Sequence, residues 1–528
     1  MLIGDEMGLG KTLQAIALSI YYKSHWPLLI ICPASLQNQW HNEFMKWGKP
    51  ESSLYHIQFL TQQQLDMEPI KQKNRIYIMS FNLATTKTLP KFISQIDCLI
   101  VDESHYLKSD KAQRTRFLIP IIQRSTHSIL LSGTASPSRP SELFTQLNAL
   151  QPKIFSSFSA FGYRYCDGSS GNFKGASHLQ ELHTFLKSTV MIRRVKDDVL
   201  KDLPPKTRYC IKLHLQPNRL LQEQYEKFMG NQEMADLLDD PYDMMESCLN
   251  QKSTTKAMDS QIMEFFRKSG IAKKSLLKQY LNYIFKQFPD KKILFFGHHK
   301  AVLDSISSEY PSNFYIRIDG TTPKEQRHKE VQRFQTDESC RLGVLSILAA
   351  GTGLNLTAAD TVIFGELYWN PGALCQAEDR AHRIGARGPV SVYYLLCDNT
   401  IDNFIWKKVN KKLEVTGLTL DGKFGELSGF VQEFKEDNVL DGELVDELCG
   451  DLNENEGDKE DQEPFVDDPG VLFPVDDVQE QEIDNLVFGE DEMNQKEGLQ
   501  EEIVPVENNK RKIPTNSNPY QLIKKRKL

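Results

Sequence analysis

Through the first 420 residues, short apolar runs of strand length alternate with amphipathic stretches long enough for helices. A first round holds Leu28–Cys32, Arg75–Ser80, Ile96–Val101 and Ser128–Ser132. A second holds Lys292–Gly297, Phe314–Ile318, Leu342–Ile347, Thr361–Phe364 and Val390–Leu396. Each is rich in Ile, Leu, Val and aromatics and ends at turn residues or a charge. Helix-length connections between them require crossovers, so the pattern predicts an α/β chain with two parallel sheets, each covered by helices on both faces. Residues 1–150 and 286–420 carry these two rounds.

Residues 151–285 differ. Segments such as Arg219–Met229 and Ser260–Phe288 have helical periodicity without strand signals, which predicts a mostly helical insertion or brace. From about residue 421 to 528, acidic residues, Asn, Gln and Gly dominate and aromatics thin out. Such a stretch buries too little surface to offset its chain entropy, and a largely disordered tail is expected. Phe465, Leu472, Phe473 and the run 486–488 interrupt it as candidate docking segments for protein partners.

Charge sharpens this division. The net −8 combines −26 over residues 421–509, +7 over residues 510–528 and +11 over the first 420 residues. A basic body followed by an acidic tail points to a polyanionic partner for the body. No apolar run approaches the roughly 18 residues of a membrane span, so no membrane association is expected. The nine cysteines never form a C-x-x-C pair, which argues against a zinc ribbon and fits a reducing compartment. Two basic clusters, Lys510–Lys512 and Lys524–Lys527, read as a nuclear-import signal; a basic end that folds back on the acidic tail would look the same.

The chemistry concentrates at two places in the first round. Gly4-Asp5-Glu6-Met7-Gly8-Leu9-Gly10-Lys11-Thr12 leads into the helical run 13–18. Glycines let backbone N–H groups curl around phosphates, and a helix starting at Lys11 would aim its dipole at them. Gly8, Leu9 and Gly10 would form the cradle, Lys11 would neutralise phosphate oxygens, and Thr12 would ligate Mg²⁺. Alone, the same residues could be a glycine turn entering an ordinary helix. The run 96–101 ends in Asp102 and Glu103, an acidic pair placed to hold the metal shell (Asp102) and to orient and deprotonate water (Glu103).

These motifs, taken with others in order along residues 1–415, resemble the Swi/Snf type of superfamily-two DNA translocases. The carriers are the DEMGLGKT run 5–12, the DESH run 102–105, the LSGTA run 131–135, the GTGLNL run 351–356 and the QAEDRAHRIG run 376–385. Within that type the chain most resembles the HepA-related annealing helicases that act at stalled replication forks, through runs 102–108, 132–140, 161–167, 191–196, 296–300 and 366–371.

The resemblance implies two RecA-like lobes with ATP and Mg²⁺ between them. It implies that Gly353 and Gln376 contribute to the nucleotide site and that Arg380 and Arg383, three apart on a helix, reach into it from the second lobe. Thr134, Arg139, Arg193, Arg194, Lys196 and His298 are the DNA contacts it suggests, and Trp369 either stacks on a base or packs in the core. Duplex or forked DNA is then the expected partner, bound without sequence preference, and the nucleus the expected location. A nucleosome remodeller with the same engine and a hydrolysis-impaired DNA-binding scaffold remain alternatives. Departures are few. The adenine-recognising glutamine segment of the family has no counterpart before Lys11, Ala386 replaces the usual Gln, and no nuclease-like His/Asn cluster follows residue 420.

Overall fold

The computed structural model describes residues 1–48, 56–61, 75–85, 96–136, 138–168, 171, 173–215, 219–229, 253–349, 354–423, 425, 427 and 430–434. They form two sheets of seven strands each, every ladder parallel. The first sheet holds β1 (Leu2–Ile3), β2 (Leu28–Cys32), β3 (His56–Phe59), β4 (Arg75–Ser80), β5 (Cys98–Val101), β6 (His127–Leu131) and β7 (Met191–Ile192). Their spatial order is β3-β4-β2-β5-β6-β1-β7. The second holds β8 (Lys206–Leu213), β9 (Ile293–Gly297), β10 (Tyr315–Ile318), β11 (Leu342–Ser346), β12 (Thr361–Phe364), β13 (Val390–Cys397) and β14 (Phe430–Phe434). Their order is β10-β11-β9-β12-β13-β8-β14.

The continuous apolar runs follow from covering both faces. Along β2, Leu29 and Ile31 enter one core while Leu28, Ile30 and Cys32 enter the opposite one. In β9, Leu294 and Phe296 face one core, and Ile293 and Phe295 the other. With both faces buried, neither set can be polar.

The sheets contain strands that the sequence pattern did not reveal. The stretch 151–285, expected to be mostly helical, also supplies β7 beside β1 and the eight-residue β8 between β13 and β14. β8 escaped notice because Lys206 and Arg208 interrupt its apolar pattern, and these half-buried cations are held in ion pairs with the fully buried Glu378. The short β3, His-Ile-Gln-Phe, was also passed over, since its residues are exposed or half-buried at a sheet edge. Beyond residue 420, within the region read as a largely disordered tail, Phe430–Phe434 adds β14 to the second sheet. The candidate docking segments and basic clusters of that tail lie outside the described residues.

The helix Asp402–Leu420 joins the lobes. Ile405 and Val409 belong to a core of the second lobe, whereas Leu420 is buried in a core of the first. Thr416 Oγ1 donates to Ser136 O at 3.2 Å, and Asp421 just beyond the helix pairs with Arg193 at 2.7 Å. At the other end, Asp402 accepts from Lys273 Nζ at 2.8 Å and from the Cys397 N–H at 3.0 Å. Lys273 and Asp402 are 1% and 2% exposed, so neither can be rehydrated if the other is lost. Lys273→Met is expected to destabilise the second lobe by about 3–5 kcal/mol, measured by urea denaturation; a change below about 1 kcal/mol would refute this account of the helix anchor.

Candidate active site between the lobes

Strand β1 ends in a turn that only glycine can make easily. Gly8 has φ +87° and Gly10, which caps the helix Lys11–Tyr21, has φ +71°. Both lie in the left-handed region that costs other residues about 1–2 kcal/mol. The turn is tied down from within: the Leu9 N–H donates to Glu6 O at 3.3 Å, and Gln14 Nε2 donates to Leu9 O at 3.0 Å and to Asp5 Oδ2 at 2.9 Å. Lys11 Nζ donates to the Asp5 and Glu6 carbonyls at 2.8 and 3.3 Å. Burial lowers its pKa, opposed by the nearby Glu103 and Asp102 carboxylates. Thr12 follows, half-buried in the first turn of the helix.

The acids stand at the end of β5. Asp102 Oδ2 accepts from Trp40 Nε1 at 2.8 Å and Oδ1 from the Glu103 N–H at 2.9 Å. Burial and then the adjacent Glu103 push the Asp102 carboxyl up to about 6. Glu103 is a non-glycine residue at φ +49°, a conformation that persists only where the surroundings impose it. Burial would raise its pKa, but the neighbouring His105, then Lys11 and Arg380, hold it below the ordinary value. His105 Nδ1 lies 3.2 Å from Glu103 Oε2 and 3.1 Å from Ser132 Oγ, which in turn accepts the Thr134 N–H at 3.2 Å. A polar chain thus runs from the acidic pair to the loop after β6.

Across the seam, the second lobe presents its arginines. Arg380 feels the charge of Glu103, and its Nε is buried without a hydrogen-bond partner among the described residues. Burial first, then Arg383, lowers its pKa to about 10 against the pull of Glu103. Arg383 packs on the glycine turn: a Cβ on Gly8 would meet Arg383 Cβ at 3.7 Å. The two arginines do not share a helix, as had been expected. The helix Pro371–Glu378 ends before them, and they lie in tight turns closed by Arg380 N–H to Ala377 O and Ala386 N–H to Arg383 O.

Residues without an assigned role in the sequence reading hold this loop. Glu378, fully buried, accepts from Arg208 Nε and Nη2, from Lys206 Nζ and from Tyr394 Oη, each at 2.7 Å. Burial would raise its pKa, but Arg208 and Lys206 hold it far below the usual carboxylate range. Trp40 was missed too; its only sequence signal was an aromatic residue at helical spacing after β2. Lys206 and Arg208 carried the signal of alternation along a strand.

The suggested DNA contacts fare unevenly. Thr134 and Arg139 are half-buried on the loop after β6, and Thr134 Cγ2 would lie 3.2 Å from a Cβ on Gly372 of the second lobe. Arg193 is turned inward, bonding Asp421 and the Gly4 and Gly133 carbonyls. Arg194 grips Asp5 through Nε and Nη2. Lys196 is 3% exposed and pairs with Asp379 at 2.7 Å, so it is enclosed by protein. His298 is no cationic contact: it is half-buried, stacks on Phe266 and Tyr368, and loss of solvation, then His299, lowers its pKa to about 4. Trp369 is a core residue, 3% exposed and 5.3 Å from Phe266. Gln376 is half-buried on the helix Pro371–Glu378, and Gly353 lies outside the described residues.

ATP and Mg²⁺ fit these side chains. Among the described residues a buried guanidinium nitrogen lacks an acceptor and the Lys11 ammonium bonds to carbonyls, while Asp102 and Thr12 offer hard oxygen donors of the kind Mg²⁺ takes.

Two family models match the chain: the SNF2-related domain over residues 1–281 and the helicase conserved C-terminal domain over residues 272–385. Bos taurus DNA annealing helicase and endonuclease ZRANB3 is 40% identical over 80% of this chain and 39% of its own length. The Caenorhabditis elegans homologue of SWI/SNF-related matrix-associated actin-dependent regulator of chromatin subfamily A-like protein 1 is 38% identical over 79% of this chain and 59% of its own. The chain therefore spans less than two thirds of either relative.

The lowered pKa of half-buried His298 has a stability consequence. Its folded pKa of about 4 lies below the ordinary 6.5, so the unfolded chain takes up the proton first as pH falls. Stability is retained above pH 6.5 and lost on the way down to about 4. Between about pH 7 and about pH 5 we expect a loss of about 2 kcal/mol in urea denaturation, and His298→Phe is expected to flatten that dependence. An unchanged pH slope in the variant would refute this role.

Proposed function

The chain belongs to the SNF2-related domain family, and we propose that it is a DNA-dependent ATPase that translocates on duplex or forked DNA and remodels replication forks by annealing. The observation that carries this reading is the meeting of Arg380 and Arg383 with Glu103 and the Gly8 turn across the seam. Each lobe holds half of a phosphoryl-transfer site.

Magnesium ATP would supply the transferable phosphoryl group and a divalent cation to offset its charge. Lys11 would exchange its bonds to the Asp5 and Glu6 carbonyls for phosphate oxygens. Asp102 and Thr12 would hold the metal, with Trp40 and the Glu103 N–H fixing the orientation of the Asp102 carboxylate. Glu103 would orient the attacking water and take its proton. Arg380 and Arg383 would neutralise charge that develops during transfer, in a seam where a guanidinium is poorly solvated and correspondingly effective.

The chain His105–Ser132–Thr134 ties the acids to the loop 134–139, which we propose faces the DNA backbone through Thr134 and Arg139. Phosphate contacts of this kind make binding sequence-independent and salt-sensitive. The fork-annealing role rests on the similarity to ZRANB3, and a nuclear location accords with the basic clusters at 510–512 and 524–527.

Phosphate release by the chain, with and without forked duplex DNA, tests the reading. DNA is expected to stimulate wild type, Lys11→Ala to fall to background, and Arg380→Ala to lose about 10³-fold or more in kcat. Background rates in wild type and Lys11→Ala alike would instead make the chain a DNA-binding scaffold. Stronger stimulation by nucleosomes than by naked forks would favour a chromatin remodeller.

A further inference from the structure

Lys196 stands where the two halves of the site touch. It begins the short helix Lys196–Val199 that follows β7, and its side chain is only 3% exposed. An ammonium so enclosed must find charged or carbonyl partners, because unpaired burial costs several kcal/mol. Its partners come from both lobes. Nζ lies 2.7 Å from Asp379 Oδ1 and donates to the His382 carbonyl at 3.0 Å, both on the arginine segment. On the other side, Glu6 of the glycine turn lies 4.0 Å from Nζ through Oε1 and accepts the Lys196 backbone N–H through Oε2 at 2.7 Å. The stem fills the space between: a Cβ on Gly8 would meet Lys196 Cε at 3.6 Å and Arg383 Cβ at 3.7 Å.

We infer that Lys196 is a positioning residue that latches the arginine segment onto the phosphate turn, with Asp379 its partner when the lobes are closed and Glu6 its partner when they part. The inference rests on the ATPase reading above and adds to it the device that makes one lobe respond to the other. Asp379 is well placed for this task, since it is shared with Lys206 at 3.3 Å and keeps a cation when Lys196 leaves. Burial would raise the Asp379 carboxyl, but Lys206 and Lys196 hold it below its ordinary value, so it stays an anion for either partner. Glu6, already bonded to the Lys196 backbone, needs no movement of the chain to receive the ammonium. The exchange costs little because the cation never lacks a counter-charge.

The test uses the whole chain with Lys196→Met, Lys196→Arg and Asp379→Asn. In DNA-stimulated phosphate release, Lys196→Met is expected to lower kcat about 10²-fold, with KM for ATP within about twofold of wild type because Lys11 and Thr12 are intact. Lys196→Arg should restore part of the rate, and Lys196→Met combined with Asp379→Asn should be no slower than either alone. Amide hydrogen exchange without nucleotide or DNA supplies the second readout. Lys196→Met should quicken exchange in residues 4–10 and 379–386 together while β2 and β9 keep their protection. Unchanged kcat, additive losses, or loosening of one segment without the other would overturn the latch. Wild type without DNA-stimulated release would overturn the ATPase reading alone, since the exchange experiment needs no turnover.

Discussion

A guanidinium kept in a nearly dry seam opposite a carboxylate is the constraint around which this molecule is arranged. The Arg380 pKa is driven down to about 10 by burial, and its Nε has no acceptor among the described residues; Glu103, from the other lobe, and then Asp379 favour its charge. Such a group would leave for water unless its backbone were fixed. Its neighbours Glu378 and Asp379 do the fixing, through ion pairs with Lys206, Arg208 and Lys196. Bidentate pairing of Arg208 to a fully buried carboxylate leaves the segment one orientation.

The same logic governs the first lobe. Glycines at positive φ place the Lys11 ammonium beside Asp102 and Glu103, and the acids are oriented by Trp40, His105 and the backbone. Because Ser132 links His105 to the Thr134 N–H, the acids and the loop after β6 cannot move independently. The helix Asp402–Leu420 gives the lobes a common spar, rooted by the Lys273–Asp402 pair and ending in the first core at Leu420. Between spar and seam, Arg193 and Lys196 spend their charge inside the protein, which is why neither serves as a surface contact.

Family membership and geometry meet on the engine. The lobe with the glycine turn and the acidic pair carries most of the SNF2-related match, and the lobe with the two arginines carries the helicase C-terminal match. The chain spans less than two thirds of either relative, and a shared fold leaves the task of the whole protein a separate question.

The amino-acid sequence by itself determined the two sheets, since runs such as Leu28–Cys32 and Ile293–Gly297 are apolar at every position and admit only strands buried on both faces. It also determined the chemistry of the glycine turn and the acidic pair, because backbone curvature and ligand type are local properties of adjacent residues. Tertiary structure decided the rest. Lys206, Arg208 and Lys196 look like solvated cations in one dimension, and only the packing of β8 and the arginine segment reveals them as ion-pair partners of the buried Glu378 and Asp379. His298 looks like a charged contact until Phe266 and Tyr368 close over it. Charge on a side chain is written in the sequence; whether water or a counter-ion surrounds it depends on residues far away along the chain.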